Sequence, residues 1–225
     1  MFKPPTPAVR VSARDLAYTE LKERIVKCLF SPGQSIVEEE LSSELEISRT
    51  PLREALQRLE LEGLVARQSN GRLKVAPVSE EEVRELFIVR SKLEGIVVVE
   101  AMENMTEQDV RYLKYVVEMA KENSVGGSHD QVDHFGTEFH QFIYGLNKNE
   151  TAIKVLFQLN DRISRYRRLA HVVDTRKSTD EHGVILNHMI AGEKERAREA
   201  IENHVLDSMA QAIVAVRAYK LEQDT

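Results

Sequence analysis

The 225-residue sequence holds a single cysteine, Cys28, which excludes an intrachain disulfide and a cysteine-built zinc cluster. No segment approaches the ~18 uninterrupted apolar residues of a membrane span. The opening "MFKPPTPAVRVSARD" has no apolar signal core, so the reading is a cytoplasmic protein without a membrane partner. Proline and glycine are sparse, at 6 and 10 residues. Pro4, Pro5 and Pro7 fall in the first dozen positions, so residues 1–12 read as a flexible arm and the rest as ordered. There is no G-x-S-x-G nucleophile turn and no glycine-rich phosphate loop. Internal repeats and low-complexity tracts are absent, and no heptad seam persists long enough for a coiled coil.

What is present is ordinary for a globular chain: 42% hydrophobic and 30% charged residues, enough to fill a core. The net charge of −6 argues against indiscriminate nucleic-acid binding, but it is unevenly placed. Residues 1–78 carry 12 Lys+Arg against 11 Asp+Glu, or +1, leaving −7 for the remainder. A near-neutral N-terminal part can bind DNA if its cations cluster on one surface.

From Ala13 to Phe30, Leu16, Ala17, Leu21, Ile25, Val26 and Leu29 are spaced for one buried helical stripe. "SPGQ" (31–34) reads as a turn, and "VEEELSSELEI" as a short helix with Leu41 and Leu45 inward. A further helix is expected from about Pro51 to Glu62, with Thr50 as N-cap and Pro51 in the first helical position, and Gly63 ends it. The period then changes. "LVARQ" and "RLKVA" read as a two-strand ribbon turning at Asn70–Gly71. Three helices and a hairpin over residues 13–77 make a winged helix-turn-helix. Ser79 is a candidate N-cap for the segment that follows.

Residues 78–225 read as entirely helical, with expected spans of 80–104, 107–122, 130–146, 150–171, 178–191 and 194–220. Breaks fall at "NMT", "SVGG", "NKN", "VVDTRKS" and "AGEK". Short connections without strand patterning predict an antiparallel bundle of six to seven helices. The fold class is mostly α.

In the helix after "SRTP", Leu52, Ala55, Leu56 and Leu59 form the core stripe, while Arg53 and Gln57 project away and Arg49 sits just before the helix. The N-terminal end of the second helix of a helix-turn-helix enters the major groove. An arginine there can donate twice to a guanine O6/N7 edge, worth ~1–3 kcal/mol of discrimination. The Ser48 and Thr50 hydroxyls and the helix N-terminus can hold phosphate. The competing reading leaves Arg49 and Arg53 solvated, or paired with Glu46 and Glu54. Arg67, Arg72 and Lys74 around the glycine of the ribbon favour the DNA reading.

The acidic half contains all seven histidines, from His129 to His204. Three stand in helical settings, "EFHQFI", "DEHGVI" and "ENHVLD", and helices of one bundle can converge such residues on a metal. Neutral imidazoles suit Zn²⁺ or Ni²⁺.

The stretch "SPGQSIVEEELSSELEISRTPLREALQRLELEGLVARQSNGRLKVAPVS" resembles the DNA-binding domain of the GntR superfamily of bacterial regulators, over roughly 50 residues. That resemblance places operator contacts on Arg49, Arg53 and Gly71. It also exposes a departure: some relatives carry arginine where this chain has Glu39, and a carboxylate there repels phosphate. The stretches "ELFIVRSKLEGIVVVEAM", "FHQFIYGLNKNETAI" and "EHGVILNHMIAGEKERAREAIENHVLDSM" are similar to the FCD ligand-binding domain of the FadR-like subfamily. In many of its members an Asp and three His bind a metal. The histidines correspond to His140, His182 and His204, but the Asp position holds Gly136. Asp133 shares a helical face with His140 yet lies ~10 Å along the axis, too far for one ion to bind both directly. Two readings stay open: a three-His divalent-metal site completed by water or an acidic effector, or a pocket that takes its effector without metal.

The resemblance also implies a small organic acid or related metabolite as effector. Arg90 matches the family's first-helix arginine and is a candidate partner for a carboxylate; Arg165 and Tyr166 are further candidates. Asn149 reads as a helix cap. The resulting expectation is a homodimeric repressor on a palindromic operator of double-stranded DNA, and not an enzyme. Two other classes compete with it. One is a metalloenzyme on the three histidines, for which Glu138 and Glu181 are poorly placed as bases; the other is a ligand-free architectural DNA binder.

Overall fold

A computed structural model describes residues 12–124, 129–169 and 176–223. The expected arm falls largely outside these residues, as do His171, most of "SVGG" and the first part of "VVDTRKS". The chain divides into two compact units, Met1–Val78 and Ser79–Thr225. Among the described residues no helix is long and apolar enough to cross a membrane.

The N-terminal unit contains α1 (Ala13–Val26), β1 (Ser35–Ile36), α2 (Glu38–Glu44), α3 (Arg49–Leu61), β2 (Val65–Arg67) and β3 (Leu73–Val75). Ser12 starts α1, its Oγ accepting from the Asp15 N–H at 3.1 Å, which satisfies one of the unpaired first-turn donors. Three features differ from the sequence reading. Helix α1 stops at Val26, and Cys28 adopts φ 56°, so Leu29 leaves the stripe and is exposed. Leu16 is also exposed, because the buried side runs through Ala17, Tyr18, Leu21 and Ile25 and Leu16 lies on the other side of the helix. Helix α3 begins at Arg49 with Ser48, not Thr50, as N-cap. Pro51 is therefore third in the helix, tolerated because the N–H groups of the first turn lack helical partners anyway.

Gly63 ends α3 at φ 73°. Its N–H reaches the Glu60 carbonyl and the Leu64 N–H the Leu59 carbonyl, a Schellman closure with Leu64 buried behind it. The wing is three-stranded, in the order β1-β3-β2. β1 pairs Ser35 with Lys74 and Ile36 with Leu73, while β2 pairs Val65 with Val75 and Arg67 with Leu73. Two residues carry too little periodicity for β1 to be seen in sequence. Leu21, Ile25, Leu52, Leu56, Leu59 and Val75 centre the core.

The C-terminal unit contains α4 (Glu80–Asn104), α5 (Glu107–Ser124), α6 (His129–Gly145), α7 (Glu150–Leu169), α8 (Arg176–Ile190) and α9 (Lys194–Gln223). Their starts are chemically marked. Ser79 Oγ accepts from the Glu82 N–H at 3.0 Å, and three glutamates in the first turn of α4 complement the helix dipole. Thr106 and Asp109 form a reciprocal capping pair at α5. Asn149 Oδ1 accepts from the Ala152 N–H at 3.0 Å, the capping role read from the sequence. The core runs through Val98, Leu113, Phe139, Ile143, Leu156, Ile185 and Ile201. One side of α4, α6, α8 and α9 faces this core and carries the polar cluster described next.

Candidate functional site

His140 of α6, His182 of α8 and His204 of α9 are each 4% exposed and point their Nε2 atoms at one another. The separations are 3.2 Å for His140–His204, 3.4 Å for His182–His140 and 3.1 Å for His182–His204. Behind His140, Nδ1 lies 3.0 Å from Glu94 Oε2. Behind His204, Nδ1 lies 2.8 Å from Glu181 Oε2. Glu181 is thus not the partner of its neighbour His182 but of a histidine on the next helix. Glu138, the other acid weighed as a base, instead accepts from the Tyr112 hydroxyl at 2.9 Å.

Glu94 is fully buried and has further partners besides His140. Arg90, one turn earlier on α4, places Nε and Nη2 at 3.0 and 2.9 Å from Glu94 Oε1. The Tyr144 hydroxyl donates to the same oxygen and accepts from Asn160 Nδ2 at 3.2 Å. Burial pushes the Glu94 carboxyl up, but His140 and Arg90 overcome that and hold it well below the usual carboxylate range. Burial lowers the His140 imidazole to about 4 against the opposing pull of Glu94. Burial, then the His204 and His140 rings, hold His182 well below its ordinary 6.5.

These shifts set the protons. A neutral His140 donates from Nδ1 to ionised Glu94, so its Nε2 carries a lone pair. Hydrogen bonding to Glu181 turns the His204 ring the same way, Nδ1 to the acid and Nε2 inward. The two Nε2 atoms face each other at 3.2 Å with the His182 Nε2 beside them. Three ring nitrogens so placed could hold a cation. Tetrahedral Zn²⁺ with ~2.0–2.1 Å bonds separates its nitrogens by ~3.3–3.4 Å, and the 3.1–3.4 Å found here fits. A carboxylate behind a ligating imidazole is the usual orienting partner. The His140, His182 and His204 nitrogens are the cluster of possible ligands among the described residues.

A cavity of about 100 Å³ adjoins the triad, lined by Arg90, Asp133, Gly136, Tyr166, Arg167 and Thr179 among others. Asp133 lines it but turns to Arg167, whose Nη1 is 3.2 Å from Oδ1, and contributes nothing to the triad. A Cβ on Gly136 would stand 3.4 Å from His182 Cε1, so this position faces the histidines and simply has no side chain. Arg90 lines the cavity while paired to Glu94. Tyr166 presents its ring to the cavity, whereas its hydroxyl donates to Glu82. Arg165 is buried outside the lining; the cavity takes Arg167 instead, two residues on. Glu94, Tyr144 and Arg167 were missed in sequence. Glu94 four residues after Arg90 was the available signal.

In acid these same groups predict a loss of stability. Because His140 titrates lower folded than unfolded, its contribution is complete above pH 6.5 and lost as pH falls toward 4. His182 acts in the same sense, and Glu94 joins below its unfolded value of ~4.3. Chelator-treated protein should therefore lose up to ~1.4 kcal/mol per pH unit from His140 between pH 6.5 and 4, with His182 adding to the loss. Denaturant titrations at stepped pH measure this, and a flat profile would contradict the proton assignments.

The N-terminal unit gathers a second set. Arg49 opens α3, with Nη2 3.2 Å from Glu39 Oε1. Arg53 Nε is 2.6 Å from Glu38 Oε2. Both arginines are therefore paired, but with α2 and not with Glu46 or Glu54. Ser48, Thr50 and Gln57 are exposed beside them, and the Ser48 side chain makes no capping bond. On the wing, Arg67 grips Glu60 at 3.0 and 2.7 Å and the Gly71 carbonyl at 3.2 Å. Gly71 has φ +83° with open space around it, so the turn, not crowding, demands glycine. Arg72 is exposed at the tip.

Comparison with known proteins assigns both units. Residues 14–75 match the bacterial regulatory proteins of the gntR family, and residues 85–207 match the FCD domain. The chain belongs to the GntR family, FCD type. It is 30% identical over 169 residues to the Nta operon transcriptional regulator of Aminobacter aminovorans, covering 74% of this chain and 78% of that one. It is 27% identical to the HTH-type transcriptional regulator YdhC of Bacillus subtilis (strain 168), covering 84% of each. Escherichia coli McbR/YncC has the same fold, with a TM-score of 0.76 at 23% identity, covering 93% of this chain and 99% of that one. This GntR protein is accordingly a transcriptional regulator with a DNA-binding domain.

Proposed function

We propose that this regulator is a homodimeric repressor of a palindromic operator, released or retained by a small carboxylate bound in the C-terminal cavity beside a divalent metal. The observation that carries the sensor reading is the convergence of three buried imidazole nitrogens next to an arginine-lined cavity. A bound Zn²⁺ or Ni²⁺ would supply a Lewis-acidic position for an acid oxygen. His140, His182 and His204 would hold it, with Glu94 and Glu181 fixing two of the rings. Arg90 and Arg167, paired with Glu94 and Asp133, line the cavity and are the candidate donors to an anion. Catalysis is not part of the proposal, since Glu181 lies on the far side of His204 and Glu138 is engaged by Tyr112.

For the dimer, Ile88, Val89 and Ile96 support a two-fold contact. They lie within ~100° of one another around α4 and are each about half exposed, an apolar stripe that a second copy can cover. The proposed domain limits follow the sequence reading, with DNA binding in 13–77 and effector binding and dimerisation in 78–225. The proposed DNA contacts are Arg49, Arg53, Ser48, Thr50, Gln57, Arg67, Gly71 and Arg72.

Metal titration tests the sensor. Chelator-stripped protein should take up about one Zn²⁺ or Ni²⁺ per chain, and His182→Ala should lose it. Gly136→Asp should tighten binding by more than the roughly 10–100-fold that outer-sphere partners command, because the new carboxylate faces the triad. A stoichiometry near zero after saturation sinks the metal and favours an effector bound without it.

A second expectation concerns control. The Tyr166 ring forms cavity wall and its hydroxyl holds Glu82, in the first turn of α4, three residues after the unit boundary at Ser79. Tyr166→Phe should leave metal uptake intact while diminishing the effect of effector on operator affinity. Electrophoretic mobility shifts with and without effector measure this, and unchanged coupling would exclude Tyr166 as the link.

A further inference from the structure

We propose that Glu39 and Arg49 together read one G·C base pair in each operator half-site, Glu39 accepting from the cytosine N4 amino group while Arg49 donates to the guanine edge. This rests on the proposed operator binding by the N-terminal unit. Arg49 is the first residue of α3 and Glu39 lies in the first turn of α2. Their tips meet at 3.2 Å with 57% and 81% of the side chains exposed. The pair thus stands outward on the surface that also carries Arg53 and Gln57, with no role in the core.

A carboxylate on such a surface is repelled by DNA phosphates, so its neighbour matters. Arg49 meets Glu39 as an ion pair, and its guanidinium keeps N–H donors for DNA. The guanidinium cancels the repulsion locally, and the remaining lone pairs of Glu39 can accept. In the major groove a G·C pair sets the O6 acceptor beside the N4–H donor. A guanidinium N–H beside a carboxylate oxygen presents the opposite order, donor then acceptor, at matching spacing. Glutamate accepting from cytosine N4 and arginine donating to guanine are each established base contacts; here the fold supplies both already joined.

Glu38 differs. It is only 30% exposed and holds Arg53 Nε at 2.6 Å, so it orients Arg53 from the protein side. Glu39 alone of the two is exposed enough to face a base.

Selection from random double-stranded DNA with the full-length protein tests the proposal, comparing wild type with Glu39→Ala and Arg49→Ala. Wild type should enrich half-sites with one strongly preferred G·C pair. Glu39→Ala, which removes the acceptor, should lose that preference on the order of tenfold, leave other positions unchanged, and share the affected pair with Arg49→Ala. Circular dichroism matching wild type establishes that both variants are folded. If Glu39→Ala keeps every base preference and binds all DNA more tightly by one common factor, Glu39 only repels phosphate and the proposal fails. It also fails if the two variants affect different base pairs. Wild type enriching no sequence would instead overturn the operator-binding function itself.

Discussion

Arg53→Ala should abolish operator-specific binding while the chain stays folded. Arg53 projects away from the Leu52, Leu56 and Leu59 stripe, with 63% of its side chain exposed, so its removal opens no cavity. Its loss forfeits the ~1–3 kcal/mol that a two-pronged guanine contact contributes. It also strips Glu38 of its partner, and the uncompensated carboxylate behind the start of α3 adds negative charge next to the DNA-facing surface. The second effect makes the loss larger than that of an isolated arginine. Fluorescence anisotropy with operator and scrambled DNA, alongside circular dichroism, separates binding from folding. Specificity equal to wild type would show that α3 does not read bases.

Glu94→Gln should be the most damaging single change in the C-terminal unit. Glu94 is fully buried and Arg90 only 2% exposed, so neutralising the acid leaves a guanidinium buried without its counter-charge. Breaking a buried pair from one side costs about 3–5 kcal/mol, and for a unit of this size the midpoint falls by on the order of 10 °C. The same change loosens His140, whose Nδ1 loses an ionised acceptor, so metal affinity should fall by roughly 10–100-fold. Differential scanning calorimetry and a competitive metal titration read the two effects separately. A midpoint within 2 °C of wild type would mean that the Arg90–Glu94 pair contributes little.

Both expectations turn on acids that were harder to read than the residues they serve. Arg53, Arg49 and the three histidines stood out in the linear pattern, because their neighbours within a turn define the helical face or match a family motif. Glu38 and Glu39 were visible as charge in the first turn of α2, but their partners were not. The pairing with α3 depends on how two helices cross. Likewise Arg90 was legible as a candidate for a ligand carboxylate, whereas the fold gives it an internal one. Arg165 and Arg167 show the limit most simply. Two residues apart on one helix differ by ~200° around its axis, and only the packing of α7 says which faces the cavity.

What the sequence determined by itself was much of what local spacing governs. Helical periods, the Ser79 and Asn149 starts and the Gly63 stop are each encoded within about one turn, where backbone donors meet nearby side chains; α3 starts two residues earlier than that spacing predicts. The two-residue β1 and the early end of α1 escaped, since neither leaves a period to detect. The tertiary structure alone decided the site. Glu94 meets His140 across 46 positions, and Glu181 meets His204 across 23. Those meetings turn Nδ1 of each ring toward an acid, and hence its Nε2 inward to the cluster. No local pattern carries that information, because burial and charge inside a bundle are set by all the helices that enclose it.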